Sequence, residues 1–197
     1  VRKVGSETED VSDKFEINGK KLTVKSTNPA DVGTYEVIAT PVDGKCELCD
    51  VVSNATFDIT PATITTPTVT INGFGKGATI PATAQMSDGL TFGEIKWYDK
   101  DDNLVENGKF VGSSTYKAVI TFSADKNHQL AANSTVTVAG VASEYVLGNQ
   151  LTGPVDGTYT LTLTLKTADK DTPVVKDLPT ASSARWGMTL ANVSLTG

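Results

Sequence analysis

Two short stretches constrain this chain most. They are Asp31-Val32-Gly33-Thr34-Tyr35-Glu36-Val37-Ile38-Ala39-Thr40 and, in shortened form, Asp156-Gly157-Thr158-Tyr159-Thr160-Leu161. In each, an Asp/Gly turn leads into a run whose first inward residue is a tyrosine. The inward register continues through Val37 and Ala39 in the first copy. In the second it runs through Leu161, Leu163 and Leu165, with threonines on the alternate face. Period-two alternation marks a strand with one face on a core and one in water. A turn-and-strand unit that recurs predicts a tandem array of small β modules.

Composition agrees with this reading. Threonine supplies about one residue in seven, valine is also abundant, and no run repeats apolar residues at helical spacing, which is a strand composition. A chain of 197 residues can bury one core or two. A net charge of -6 with a pI of 4.8 offers no basic face for a phosphate backbone, so nucleic acid is not an expected partner. No apolar run approaches the ~20 residues of a membrane helix, so no membrane insertion is expected. Low cysteine usage fits many compartments, and the acidic, Thr-rich β character favours an extracellular one.

Along the chain, residues 1–13 are charged and read as a frayed entry or an incomplete first strand. Phe15-Glu16-Ile17, Asn18-Gly19 and Leu22-Thr23-Val24 predict a hairpin. The Tyr35 strand follows, then a turn near Asp43-Gly44, then a strand with Ala55, Phe57 and Ile59 inward. Thr60-Pro61 closes the first module, because proline cannot donate to a central ladder. A second module opens with Val69-Thr70-Ile71 and a glycine-rich loop from Asn72 to Gly77. Strands are expected at 93–98, 104–105, 116–122 (Tyr116, Ala118, Ile120 and Phe122 inward), 136–138 and 159–165. The domain reading is therefore 1–62, a short module, 63–168, a larger one, and 169–197, a linker with the opening strands of a further repeat. Because that last pattern starts without finishing, the chain reads as cut from something longer.

An aromatic just after an Asp/Gly turn resembles the tyrosine corner of immunoglobulin-like sandwiches, whose hydroxyl bonds back to upstream backbone. Gly33-Thr34-Tyr35 to Thr40, with Asn54-Ala55-Thr56-Phe57-Asp58-Ile59-Thr60-Pro61-Ala62, resembles the closing half of the short Ig-like MBG-type repeats of Gram-positive surface proteins. Trp97, Phe110, Tyr116 to Ile120, Val136-Thr137-Val138-Ala139-Gly140 and Asp156-Gly157-Thr158-Tyr159 are similar to a longer repeat found beside them. Leu178-Pro179-Thr180-Ala181 through Trp186-Gly187-Met188-Thr189-Leu190 resembles the start of another. The resemblance implies tandem Ig-like β-sandwich modules in a stalk, an adhesin or a module appended to a secreted enzyme. It supplies no catalytic residues. Such modules sometimes cross-link a strand lysine to an Asn or Asp, but Lys96 and Lys117 fall in the solvent-facing register.

Three local motifs carry candidate chemistry. Cys46-Glu47-Leu48-Cys49 admits a disulfide pinning a loop tip, free thiols, or a metal or redox pair; with hairpin-like flanks and one histidine in the chain, the disulfide is preferred. Asp99-Lys100-Asp101-Asp102-Asn103 matches positions 1, 3 and 5 of a calcium loop, then fails at Leu104 and Phe110, so it reads as turn chemistry. Tyr98, Asp99, Asp101 and Asn103 form a candidate ligand-contact loop at one end of a sandwich. Gly73-Phe74-Gly75-Lys76-Gly77 precedes no helix and reads as a flexible loop, not a phosphate cradle. Trp97 shares a face with Ile95 and is expected in the core, leaving Tyr98 outward. His128 is expected on an exposed turn, with no nucleophile beside it.

The expectation is an all-β, non-catalytic extracellular spacer or adhesion stalk without a metal or cofactor. Its partners are neighbouring modules. The rival expectation is a module that binds glycan or host surface protein.

Overall fold

The computed structural model describes residues 1–6, 9–19, 21–38 and 55–169, with the backbone of 180–181 and 195–196. These residues form an all-β fold with two single-turn 3-10 segments, Ser12–Lys14 and Ser143–Tyr145. In chain order the strands begin with β1 (Arg2–Lys3), β2 (Phe15–Asn18), β3 (Lys21–Val24), β4 (Gly33–Val37) and β5 (Ala55–Ile59). Next come β6 (Ala62–Ile64), β7 (Thr68–Thr70), β8 (Gln85–Met86), β9 (Leu90–Tyr98) and β10 (Thr115–Ala124). The remainder are β11 (His128–Leu130), β12 (Thr137–Ala139), β13 (Val146–Val155), β14 (Thr158–Lys166), β15 (Thr180–Ala181) and β16 (Leu195–Thr196).

The first five strands surround one small core. β4 pairs antiparallel with β1 and β5, so Tyr35 lies opposite Lys3 on one side and Phe57 on the other. The β2–β3 hairpin forms as its turn residues require, with Gly19 at φ 61°. Phe15, Tyr35 and Phe57 meet with ring centroids 5.6–5.7 Å apart, and Val11 and Ala30 complete the buried set. Phe57 and Ile59 pack here as expected, but Ala55 is exposed. Of the two readings of the entry segment, a frayed end or an incomplete strand, the two-residue β1 fits the second. Arg2 faces Glu36 across the sheet and bonds it at 2.6 Å, a pairing that neutralises both charges and holds the segment on the edge of β4. Val11, further along the same segment, is buried.

The larger core lies between a four-stranded antiparallel sheet, in the order β13-β14-β10-β9, and smaller sheets: β12-β7-β8 and the parallel pair β11-β6. The alternation read from sequence is realised on the central strands. Tyr116, Ala118, Ile120 and Phe122 of β10 are buried, as are Leu161, Leu163 and Leu165 of β14. Val69, Ile71 and Val136 from the opposing layer join the same cluster. β12 lies against the residues around Ile71 closely enough that a Cβ on Gly140 (φ 77°) would sit 2.3 Å from the Ile71 carbonyl oxygen. Ala62, read as the end of the first module, begins β6 and pairs with His128.

Candidate functional site

The loop singled out from sequence connects β9 to the short bridge at Leu104, which pairs with Tyr98. An aspartate at the head of a turn can accept the backbone N–H groups that follow it. Asp99 does so: its Oδ1 accepts the N–H of Asp101 and of Asn103, each at 2.9 Å, and Asn103 Nδ2 reaches Oδ2 at 3.1 Å. The Asn103 N–H is the leading cause that holds the Asp99 carboxyl below its usual range. Asp102 occupies the left-handed region at φ 62° and pairs with Lys117 of β10, whose ammonium stands 5.0 Å over the Tyr98 ring. Asp101 pairs with Lys100 at 2.6 Å, which raises the lysine's pKa.

The loop thus brings Tyr98, Asp99, Asp101 and Asn103 together, and both Asp99 oxygens and the Asn103 amide are bonded within it. Each Asp in it faces a backbone N–H or a cation. Among the described residues no group of three or more His, Cys, Asp or Glu side chains could hold a metal. Sequence reading missed Lys117 as a member of this cluster, because its place depends on β9 pairing with β10. Lys96, the other strand lysine, is exposed and pairs with Glu94 at 2.9 Å.

Beside the loop runs an open groove of about 270 Å³, lined by Ile80, Pro81, Ile95, Trp97, Leu104 and Val105 among others. Trp97 itself is 2% exposed and belongs to the core, its indole N–H donating to the Pro81 carbonyl at 2.8 Å. Little of its surface is therefore open to the groove. Tyr98 lies on the opposite face of the sheet from Trp97, paired with Lys117 and half-buried beneath its ammonium.

Three further expectations need correction. Phe74, assigned to a flexible loop, stacks on Trp97 with centroids 5.9 Å apart and meets Phe110 edge-on at 4.7 Å, because that loop folds over the core's open end. His128 is half-buried, with Nδ1 2.7 Å from Asp125 Oδ1 and its ring against Gly89. The two tyrosine turns are not equivalent. Tyr35 donates its hydroxyl to the Asp31 carbonyl at 2.7 Å, the bond the tyrosine-corner reading requires. Tyr159 is half-buried, stacks on Phe122, and makes no such bond among the described residues. In the larger unit that part falls to Tyr116, whose hydroxyl accepts the N–H of Val111 at 2.9 Å. The Val111 carbonyl in turn accepts the hydroxyl of fully buried Thr167 at 2.6 Å.

Cys46 and Cys49 lie outside the described residues, as do the Asp43-Gly44 turn and Trp186. No helix among the described residues is long and apolar enough to cross a membrane. No protein-family model, curated protein or solved structure matches the chain.

Proposed function

We propose that this chain is a pair of Ig-like β-sandwich modules from an extracellular bacterial surface protein, and that its role is structural: a non-catalytic spacer or adhesion stalk. The observation that carries the reading is the pairing of two separate hydrophobic cores with a two-residue connection. β5 ends at Ile59 and β6 starts at Ala62, so each core is self-contained and the span between them is short. The Tyr35 corner bond and the buried Trp97 between opposed layers support the Ig-like assignment. The internal pairing of the Tyr98–Asn103 loop also favours a spacer, since a ligand there would have to displace bonds already made.

A second reading is favoured by the groove beside that loop, whose volume lies just below the usual range for small-ligand sites. In it, the chain is a binding module for glycan or host protein. Glycan-array and pull-down measurements on the intact chain separate the two. The spacer reading expects no saturable binding. Saturable binding that is lost in Tyr98→Ala or in Asp99→Ala replaces it with the binding reading.

A further inference from the structure

One residue, Asn127, touches both units and the connection between them. Its backbone carbonyl accepts the N–H of Ala62, the first residue of β6, at 2.8 Å. Its side-chain carbonyl accepts the N–H of Val32 at 3.0 Å, and its side-chain amide donates to Asp31 Oδ1 at 3.1 Å. Lys126 adds an ion pair to Asp31 Oδ2 at 2.7 Å. Asp31 is the same residue whose backbone carbonyl receives the Tyr35 hydroxyl. The corner that closes the first core is therefore bonded through Asp31 and Val32 to Lys126 and Asn127 of the second unit.

The turn that presents Asn127 is braced from behind. Asp125 Oδ1 accepts the Asn127 N–H at 2.8 Å and lies 2.7 Å from His128 Nδ1, while the Asp125 N–H donates to the Gly89 carbonyl at 2.9 Å. The His128 ring rests against Gly89, where a Cβ would come within 2.5 Å of it. Only glycine at position 89 (φ 81°) leaves room for the ring.

A two-residue covalent connection limits separation but not rotation; proline fixes only its own φ. A second, non-covalent attachment removes the remaining swivel. We propose that the Asp125–His128 turn is a docking surface for the tyrosine corner of the preceding module, and that Asp31 and Asn127 clasp the two units into one rigid body. The partner this surface fits is a β module that offers a carboxylate and the next backbone N–H just before a Gly-Thr-Tyr strand. Lys126 and the Asn127 amide select the carboxylate; the Asn127 carbonyl selects the N–H. Proline at the position of Val32, or an apolar residue at the position of Asp31, would be rejected. The clasp's use as a stiffener rests on the spacer reading, whereas its geometry does not.

The test compares ¹⁵N relaxation and amide exchange in the intact chain with Asn127→Ala and Lys126→Met. Asn127→Ala removes both side-chain bonds and leaves the Tyr35–Asp31 bond in place. The expected result is one correlation time for both units in the parent chain. In Asn127→Ala the first unit tumbles faster and the Val32 amide exchanges at least tenfold faster, with the resonances of Phe15, Tyr35 and Phe57 retained. If Asn127→Ala disturbs β11, Lys126→Met, which removes the surface ion pair to Asp31, shows the Val32 effect in smaller measure. Unchanged correlation times and Val32 exchange in both variants overturn the clasp. A chain that binds glycan yet tumbles as one body would remove the spacer reading and leave the clasp standing.

Discussion

At the scale of single residues, the tyrosines separate fold from repeat. Tyr35 and Tyr159 follow similar turns, yet one hydroxyl closes a loop and the other only caps a stack on Phe122. A hydrogen bond of the Tyr35 kind contributes about 1 kcal/mol. Tyr35→Phe should therefore lower stability by about that amount in urea unfolding, whereas Tyr159→Phe should stay within about 0.5 kcal/mol. Equal losses for the two would mean that the Asp31 bond is not what distinguishes them. The Asx turn at Asp99 was legible from the spacing of Asp and Asn alone, because it uses only neighbouring backbone. The partners Lys117 and Asn127 were not legible, because each acts across a distance set by strand pairing. His128 was misread for the same reason: its surroundings, Asp125 and Gly89, become a pocket only when β9, β10 and β11 are in place.

At the scale of elements, legibility followed burial. β10 and β14 sit in the middle of the four-stranded sheet, and every second residue of each is a buried apolar one over most of its length. β13 passed unnoticed because it is the sheet's outer strand. It is mostly exposed, holds Gly148, Gly153 and Pro154, and shifts register twice against β14, so no period-two signal survives. β6 and β11 are three residues each and pair in parallel between distant segments, which a local pattern cannot announce. The close approach of β12 to the backbone at Ile71 gives a sharp prediction. Gly140→Ala places a Cβ against a backbone carbonyl that cannot move without separating β7 from β12, and should cost about 1–3 kcal/mol beyond its backbone strain. Gly157→Ala, also at positive φ but with nothing within 4 Å, should cost only the strain, about 1–2 kcal/mol. Thermal or urea denaturation of the pair ranks them; the reverse order would contradict the packing described at Gly140.

At the scale of the whole molecule, the two cores meet at a junction held by charge and hydrogen bonds, and this makes the junction sensitive to acid. The hydrogen bond from Lys126, then that from Asn127, holds the Asp31 carboxyl below its ordinary 3.8. The groups facing it are Lys126, Asn127, the more distant Lys14, and Tyr35, whose pKa burial raises. Asp125, on the same turn, is lowered first by its bond to His128. A carboxyl with a depressed folded pKa contributes fully above its unfolded value and loses that contribution as pH falls through the folded one. The orientation of the units should thus be constant well above 3.8 and loosen only below it, because the Asp31 and Asp125 carboxyls are both held below that value. Loosening already near pH 6 in ¹⁵N relaxation would assign the junction to another group.

The clasp between the two units stands or falls on whether the chain behaves as one body. Residual dipolar couplings from the intact chain measure this directly, by fitting residues 9–38 and 62–168 separately in one alignment medium. The account predicts that both sets report the same alignment tensor in magnitude and orientation. Two tensors, with a markedly smaller magnitude for the first unit, would contradict it.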